Sequence, residues 1–186
     1  MANKENVEKT LHQLQQRCQR LEDRQAIHDL LCRYSRALDR LDSDLLRSVF
    51  WPDAHVDLGP GLFQGQAQDL FEFAMQFQGA MQVTRHELSN ILIDELDGDH
   101  ASCETYVYAF HTLQQDEIPK DLIVYGRYLD EFERRDGEWR IVRRVELLDW
   151  AHERPATADW FDRQPPLNRG LHSTKDGLYL QRSRDK

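Results

Sequence analysis

Four stretches of alternating polar and apolar residues fill the second half of the chain and constrain the fold more than any other feature. They are rich in Val, Ile, Tyr, Phe and Thr, which favours β-strands, and cover residues 86–95, 101–113, 121–133 and 139–150. Asp97-Gly98 separates the first two stretches and Asp136-Gly137 the last two. An Asp-Gly pair between alternating stretches is a strong hairpin signal. The pattern predicts an antiparallel sheet of consecutive strands.

The first half of the chain instead has the three- and four-residue spacing of amphipathic helices. A helix over residues 5–21 is predicted from a narrow apolar stripe, which consists of Val7, Leu11, Leu14, Cys18 and Leu21. We expect this helix to pack on its own domain or on a partner subunit. A second helix is predicted from Asp23, as its cap, to Leu41, with a broader apolar face against a core.

Two shorter helices are predicted before the strands. Ser43 suits the cap of a helix over residues 44–50, which Pro52 cannot continue. Residues 53–61 then indicate a brief strand and a turn. A further helix after Gly65 is expected to turn four side chains inward: Leu70, Phe71, Ala74 and Phe77.

Helices followed by an antiparallel meander predict an α+β fold, in which helices close one face of a curled sheet and leave a pocket inside. A length of 186 residues suits one such domain. We assign residues 1–20 to an N-terminal helical extension, 21–150 to the domain and 151–186 to an irregular tail. The tail has one predicted short helix near residues 159–161, and we expect it to wrap a neighbour or to cover the pocket.

Composition and charge narrow the functional classes. The net charge of −9, without a basic stripe, argues against nucleic acid as a partner. No apolar stretch is long enough to span a bilayer, so a cytoplasmic protein without membrane contact is predicted. The cysteines lack metal or redox spacing, and no HxH or HExxH motif occurs. We predict no metal and no cofactor, and structural roles for Cys32 and Cys103, which lie in apolar segments.

The predicted strand over residues 101–113 has two unlike faces. One face carries mostly small residues that suit the wall of a cavity, and the other carries Tyr106, Tyr108 and Phe110. Large aromatic side chains suit packing against another layer or subunit. We therefore expect a homo-oligomer, either a dimer or a trimer.

Three segments of the sequence resemble a known family. They are LEDRQAIHDLLCRYSRALDRLDSDLLRSVFWPDA, TRHELSN and GRYLDEFERRDGEWRIVRRVELLDW. Over about residues 20–150 the chain resembles SnoaL-like proteins of the nuclear transport factor 2 superfamily. Within it, the chain looks most similar to the group of scytalone dehydratase, bile-acid 7α-dehydratase and hexachlorocyclohexane dehydrochlorinase. The resemblance implies a cone-shaped α+β barrel and an elimination reaction without a cofactor.

The resemblance also implies a set of catalytic residues. Such enzymes use a tyrosine and an aspartate near the end of the first core helix, a histidine that begins a strand and, in some members, an arginine on the last strand. The matching residues here are Tyr34, Asp39, His86 and Arg144. Scytalone dehydratase has a second pocket histidine, and His111 stands at the corresponding position.

These residue types suit the abstraction of a proton from carbon. An imidazole with an ordinary pKa of roughly 6.5 can accept a proton at neutral pH. His86 is the predicted base, and Asp39 would fix its tautomer and stabilise the imidazolium. Tyr34 and Arg144 would polarise substrate oxygen. The structural alternatives are a strand-end histidine, a solvated aspartate, a core tyrosine and a surface salt bridge, with Arg143 as the competing arginine.

Further side chains are candidates for the wall of the pocket. Trp51 could line it or belong to the core, and Leu58 lies where related dehydratases can place a tyrosine. Tyr125 and Tyr128 are three residues apart on one predicted strand, so alternation allows at most one of them to point inward. We expect the pocket to bind a hydrophobic or aromatic small molecule.

The sequence therefore predicts a cofactor-independent lyase that takes a proton from a hydroxylated aromatic or polycyclic substrate and expels water or another group. The same pocket could instead support carbon–carbon cleavage of a retro-aldol type, such as deformylation, or an isomerisation or cyclisation. A different class is the non-catalytic small subunit of an aromatic-ring dioxygenase, which shares the superfamily fold. A binding protein for hydrophobic compounds is the remaining alternative.

Overall fold

A computed structural model describes residues 2–113, 119–156 and 163–182 of the chain. In chain order the elements are α1 (Ala2–Asp39), α2 (Ser43–Val49), β1 (Phe50–Asp57), β2 (Gln64–Gln66), α3 (Ala67–Gly79), β3 (Met81–Asp97), β4 (His100–Leu113), β5 (Lys120–Arg135), β6 (Glu138–Pro155) and α4 (Gly177–Arg182). The short helix predicted near residues 159–161 lies outside the described residues.

The described strands form one mixed, open sheet in the order β2-β1-β6-β5-β4-β3. The four predicted strands are β3 to β6, and each pairs antiparallel with the next, which confirms the predicted meander. β1 pairs parallel with β6, and β2 pairs antiparallel with β1. A single apolar core joins one face of the sheet to α1, α2 and α3, and this α+β cone confirms the predicted fold class.

A single helix, α1, replaces the two helices predicted for residues 5–21 and 23–41. The segment contains neither glycine nor proline, so nothing interrupts its backbone hydrogen bonds. Asp23 is therefore not a cap. Its buried carboxylate accepts hydrogen bonds from Gln19 at 3.0 Å, Arg134 at 2.8 Å and the indole of Trp139 at 2.9 Å. These bonds tie the middle of α1 to the sheet.

The two halves of α1 differ in exposure. After Asp23 the helix buries its apolar side chains in the core: Ile27, Leu30, Leu31, Tyr34 and Leu38. Before Asp23, the valine and leucines of the apolar stripe remain 49–67% exposed. The stripe therefore does not pack on its own domain. Of the two predicted alternatives, packing on a partner subunit is the one that stays a prediction.

The next two helices differ in detail from the prediction. Asp42 caps α2 in place of Ser43, because its Oδ1 accepts a hydrogen bond from the backbone N–H of Leu45 at 3.0 Å. In α3, three of the four side chains predicted to face inward are buried, but Phe77 is 39% exposed. Phe77 instead stacks on Phe73, with ring centroids 5.5 Å apart, which covers one ring face without reaching the core.

Two irregularities in the pairing of β5 with β6 decide which way the side chains of β6 point. The register first skips Val142, and such a bulge reverses the alternation of the strand. Arg144 therefore shares the buried face of Ile141, whereas simple alternation predicts opposite faces. At the second irregularity Gly126 lies against β6, and a Cβ there would come within 2.5 Å of the Leu147 carbonyl oxygen.

The tail returns to the helical side of the sheet. The hydroxyl of Tyr179 donates to Asp42 Oδ2 at 2.8 Å. Asp176 accepts hydrogen bonds from the backbone N–H groups of Leu171 at 2.7 Å and Leu178 at 3.0 Å. These bonds hold residues 168–172 beside α1 and β3. Among the described helices, none has a segment both long and apolar enough to cross a membrane.

Candidate active site

Asp39 and His86 form a two-point contact where α1 meets β3. Asp39 is the last residue of α1, and its Oδ1 lies 2.7 Å from His86 Nδ1. Its Oδ2 accepts a hydrogen bond from the backbone N–H of His86 at 3.1 Å. The two side chains are only 13% and 5% exposed. A carboxylate accepts hydrogen bonds, so in the neutral imidazole Nδ1 carries the proton and the lone pair is on Nε2.

Thr84 and His172 extend this contact towards the tail. The hydroxyl of Thr84 donates to Asp39 Oδ1 at 3.2 Å and lies 3.3 Å from His172 Nε2. His172 Nδ1 lies 3.3 Å from the carbonyl oxygen of Met81, which can only accept. When Nδ1 of His172 donates to the Met81 carbonyl oxygen, its Nε2 can compete with Asp39 Oδ1 for the hydrogen bond from the Thr84 hydroxyl. The tail thus influences how Asp39 is held.

His111 lies next to His86 on the neighbouring strand. The two rings meet edge to face, with centroids 5.3 Å apart. His111 is buried, and its Nδ1 has no hydrogen-bond partner among the described residues. Burial, reinforced by the nearby His86, lowers the pKa of His111 to about 4. The ring is therefore neutral at physiological pH.

Arg144 is the centre of a second, fully buried group. Its Nε and Nη2 each lie 2.7 Å from a carboxylate oxygen of Asp130 on the opposite strand. The guanidinium carbon lies 4.0 Å from the ring centroid of Tyr34 and 4.1 Å from that of Tyr128. Burial raises the pKa of both tyrosines. Among the described residues, Arg144 Nη1 has no hydrogen-bond partner.

Glu146 interacts electrostatically with both groups and is not among the residues predicted from the sequence. It lies opposite Tyr128 in the β5–β6 pairing. Burial raises the pKa of its carboxyl, and the charges of Arg144 and His86 both act against that rise. The Glu146 carboxyl is therefore near both the Arg144 guanidinium and the His86 ring. Glu146 could have been found by continuing the alternation of β6 two residues beyond Arg144.

A cavity of about 890 Å³ opens beside the Asp39–His86 contact. Its wall comes from the second half of α1, from residues 82–88 of β3 and from tail residues 168–172. Asp39, Thr84, His86 and His172 belong to this wall. Of the predicted site residues, Tyr34, Tyr128, Arg144 and His111 lie outside the wall of this cavity.

The remaining predicted wall residues lie elsewhere. The indole N–H of Trp51 donates to the carbonyl oxygen of Glu133 at 3.0 Å, outside the cavity. Leu58 is half-buried against the core. Tyr125 is 44% exposed on the outer face of the sheet, and Tyr128 is the buried tyrosine of this strand. Alternation therefore holds for the two tyrosines.

Two other predicted alternatives are settled by position. Arg143 lies on the surface, 2.9 Å from Glu131, so Arg144 is the buried arginine. Cys103 is buried as expected, but Cys32 is exposed and lines the cavity. Cys32 differs because its position on α1 turns it away from the core. Partial desolvation of the thiol by its neighbours, together with the nearby Asp29, raises the pKa of Cys32, which disfavours a reactive thiolate.

The fold defines the chain as a member of the nuclear transport factor 2-like class of α+β cones. Residues 19–145 match the SnoaL-like domain, and the chain belongs to the SnoaL-like family. Among curated relatives, the uncharacterized protein Rv2910c of Mycobacterium tuberculosis is 34% identical over 128 residues. The match covers 68% of this chain and 85% of that relative.

Solved structures share the same fold. A candidate scytalone dehydratase from Novosphingobium aromaticivorans is 28% identical, with a TM-score of 0.64, and the match covers 74% of this chain and 93% of that one. A candidate aromatic ring hydroxylase from the same organism is 29% identical, with a TM-score of 0.64 and coverage of 75% and 96%. The hexachlorocyclohexane dehydrochlorinase LinA-type3 from Novosphingobium barchaimii is 22% identical, with a TM-score of 0.65 and coverage of 79% and 97%. The predicted superfamily is confirmed.

Proposed function

We propose that this protein is a cofactor-independent lyase that acts on a hydroxylated aromatic or polycyclic small molecule. The observation that carries the proposal is the two-point contact between Asp39 and His86 at the wall of the cavity. Oδ1 of the Asp39 carboxylate binds the imidazole and Oδ2 binds the backbone N–H of the same histidine, which orients the ring as a general base needs. The dehydratase-like and dehydrochlorinase neighbours add support for the lyase class.

His86 Nε2 is the atom proposed to take the proton from carbon. Among the described residues it has no hydrogen-bond partner, while Nδ1 is bound to Asp39. As the proton arrives, the ring becomes an imidazolium, and the Asp39 carboxylate at 2.7 Å stabilises the new charge. The C–H electron pair then forms the new double bond and expels the neighbouring hydroxyl.

Glu146 is proposed to protonate the departing hydroxyl, which leaves as water. Its raised pKa means that the carboxyl keeps a proton to higher pH than an exposed glutamate does. Tyr34 and Arg144 are proposed to bind substrate oxygen as negative charge develops there, through the phenol hydroxyl and Arg144 Nη1. These side chains and Glu146 are outside the wall of the described cavity, so the proposal requires the substrate to enter beyond His86 into the core. The proton on His86 returns to Glu146 through solvent at the end of the cycle.

Mass spectrometry of the purified protein with a panel of hydroxylated aromatics and steroids, without added cofactor, tests this proposal. We expect loss of water from at least one compound, and a fall in turnover of roughly 10²–10⁴-fold in both His86→Ala and Asp39→Asn. His100→Ala is the matched control, because this imidazole is 75% exposed. Tyr34→Phe tests the phenol hydroxyl alone, since the ring against Arg144 is retained.

Three outcomes of this experiment contradict the proposal. Equal turnover by wild type and His86→Ala would remove the proposed base. Release of formaldehyde would replace elimination by carbon–carbon cleavage. Binding of the compounds without any change in their mass would indicate a binding protein.

A further inference from the structure

The N-terminal segment of α1, residues 4–21, carries an apolar stripe that no described part of its own chain covers. The stripe consists of Val7, Leu11, Leu14, Cys18 and Leu21. Its valine and leucines are 60%, 55%, 49% and 67% exposed in chain order, and Cys18 is exposed. The segment lies almost entirely before the SnoaL-like match, which begins at residue 19. Packing in the core of the domain therefore does not explain why these residues are apolar.

The stripe points away from the domain to which α1 is attached. At 3.6 residues per turn, its mean direction lies about 180° around the helix from that of the core-facing residues after Asp23. Contacts with the β3–β4 hairpin are made on the other side, where an Arg20 Nη1 lies 3.5 Å from the Leu96 carbonyl oxygen. A second helix could therefore lie along the stripe, with Leu14 next to the groove between α1 and the β3–β4 hairpin.

The spacing of the stripe is that of a coiled coil. Its residues follow one another at intervals of four, three, four and three, the heptad repeat in which apolar a and d positions form a continuous seam. Leu11 and Cys18 occupy a positions, and Val7, Leu14 and Leu21 occupy d positions. A surface helix that only packs on a globular core has a broader apolar face than this.

The flanking charges favour a second copy in parallel orientation as the partner. Glu8 and Glu22 occupy e positions, and Arg17 and Arg24 occupy g positions. In a parallel pair each g residue faces the e residue five positions later on the other chain, so Arg17 meets Glu22 of the second copy. An antiparallel pair would place arginine against arginine and glutamate against glutamate.

We propose that residues 4–21 of two copies of this chain form a parallel, in-register coiled coil that joins the domains into a dimer. The domains lie on the outer sides of the pair, because each stripe faces away from its own domain. The dimer brings the two Cys18 side chains together across the seam, since residues at a positions face each other in a parallel pair.

Thiol cross-linking of the full chain tests the register. In a Cys32→Ser background, a short bismaleimide is expected to link two chains through Cys18 into a species of twice 22.0 kDa. The matched control moves the thiol to an f position, in a Cys18→Ser, Cys32→Ser, Lys9→Cys variant, which should not cross-link. Equal cross-linking at both positions, or none at Cys18 at about 100 µM protein, overturns the proposal.

Charge variants test the orientation in the same assay and in sedimentation equilibrium. Leu14→Glu should weaken association by about tenfold or more, whereas Gln13→Glu adds the same charge outside the seam and should not. Arg17→Glu should weaken the dimer, and the double variant with Glu22→Arg should restore it. An association constant that Arg17→Glu leaves unchanged would indicate another orientation and would overturn the proposal. Circular dichroism of each variant checks that the domain remains folded.

Discussion

At the scale of single residues, the buried imidazole of His111 makes the stability of the fold depend on pH. Its pKa falls from 6.5 to about 4 on folding. Between these values the unfolded chain binds a proton that the folded protein does not, so the free energy of unfolding decreases as the pH falls from 6.5 towards 4 and levels off below 4. We expect His111 to account for about 2–3 kcal/mol of this loss.

Urea unfolding at a series of pH values, compared between wild type and His111→Leu, measures this contribution. The difference in unfolding free energy between the two proteins should change across the pH 4–6.5 interval and stay constant above it. His100→Leu, at an exposed position, should behave like wild type throughout. A constant difference between wild type and His111→Leu down to pH 4 would show that this imidazole titrates as in the unfolded chain.

The residues of the site differ in how far the sequence could predict them. Asp39 and His86 could be paired because the family resemblance marks both. Arg144 could not be separated from Arg143 by alternation, because the bulge at Val142 reverses the faces of β6. Thr84 and His172 carry no sequence signal, since their contact joins a strand to an irregular tail.

At the scale of elements, the second irregularity of β6 depends on Gly126. A Cβ at this position would lie 2.5 Å from the Leu147 carbonyl oxygen and 3.3 Å from Leu148 Cδ2. Backbone cannot give way as a flexible side chain can, so Gly126→Ala should lower the free energy of unfolding by about 1–3 kcal/mol. Urea denaturation measures the loss.

Gly61→Ala is the control for this substitution. An added Cβ at Gly61 meets no atom within 4 Å, and the residue is outside the left-handed region. Its unfolding free energy should stay within about 0.5 kcal/mol of wild type. Equal effects at Gly126 and Gly61 would mean that the β5–β6 pairing adapts to the added methyl group.

The elements themselves were predicted unevenly, for local reasons. The four strands of the meander could be predicted because alternating side chains and Asp-Gly turns are signals that extend over only a few residues. The break predicted at Asp23 was wrong because an aspartate that binds Arg134 and Trp139 across the core has the same local appearance as a cap. The parallel pairing of β1 with β6 joins segments that are far apart in the sequence. It could not be predicted from local patterns.

At the scale of the whole molecule, the outer face of the sheet presents an aromatic patch of Tyr106, Tyr108, Tyr125 and Trp150. Ring centroids are 5.0 Å apart for Tyr108–Tyr125 and 5.2 Å for Tyr125–Trp150. Tyr125 and Trp150 are still 44% and 54% exposed in the single chain. Contiguous exposed aromatic surface favours a protein partner, and we propose that a second dimer covers it.

Light scattering on Tyr125→Lys should show a lower molar mass than wild type at the same concentration, because the substitution places a charge in the patch. Glu131 is an exposed residue on the same strand. Glu131→Lys is therefore the control and should have the same molar mass as wild type. Leu14→Glu changes a different surface, so its effect should add to that of Tyr125→Lys. An unchanged mass in Tyr125→Lys would mean that the patch is not an interface between copies.

The unbroken length of α1 has a practical consequence for protein engineering. The helix has 38 residues, from Ala2 to Asp39, and is therefore about 55 Å long. A fluorescent protein or a surface anchor fused at the N-terminus would stand far from the cavity. The same fusion at the C-terminus would follow a tail whose residues 168–172 already line the cavity, so the N-terminus is the better point of attachment for a label or a surface.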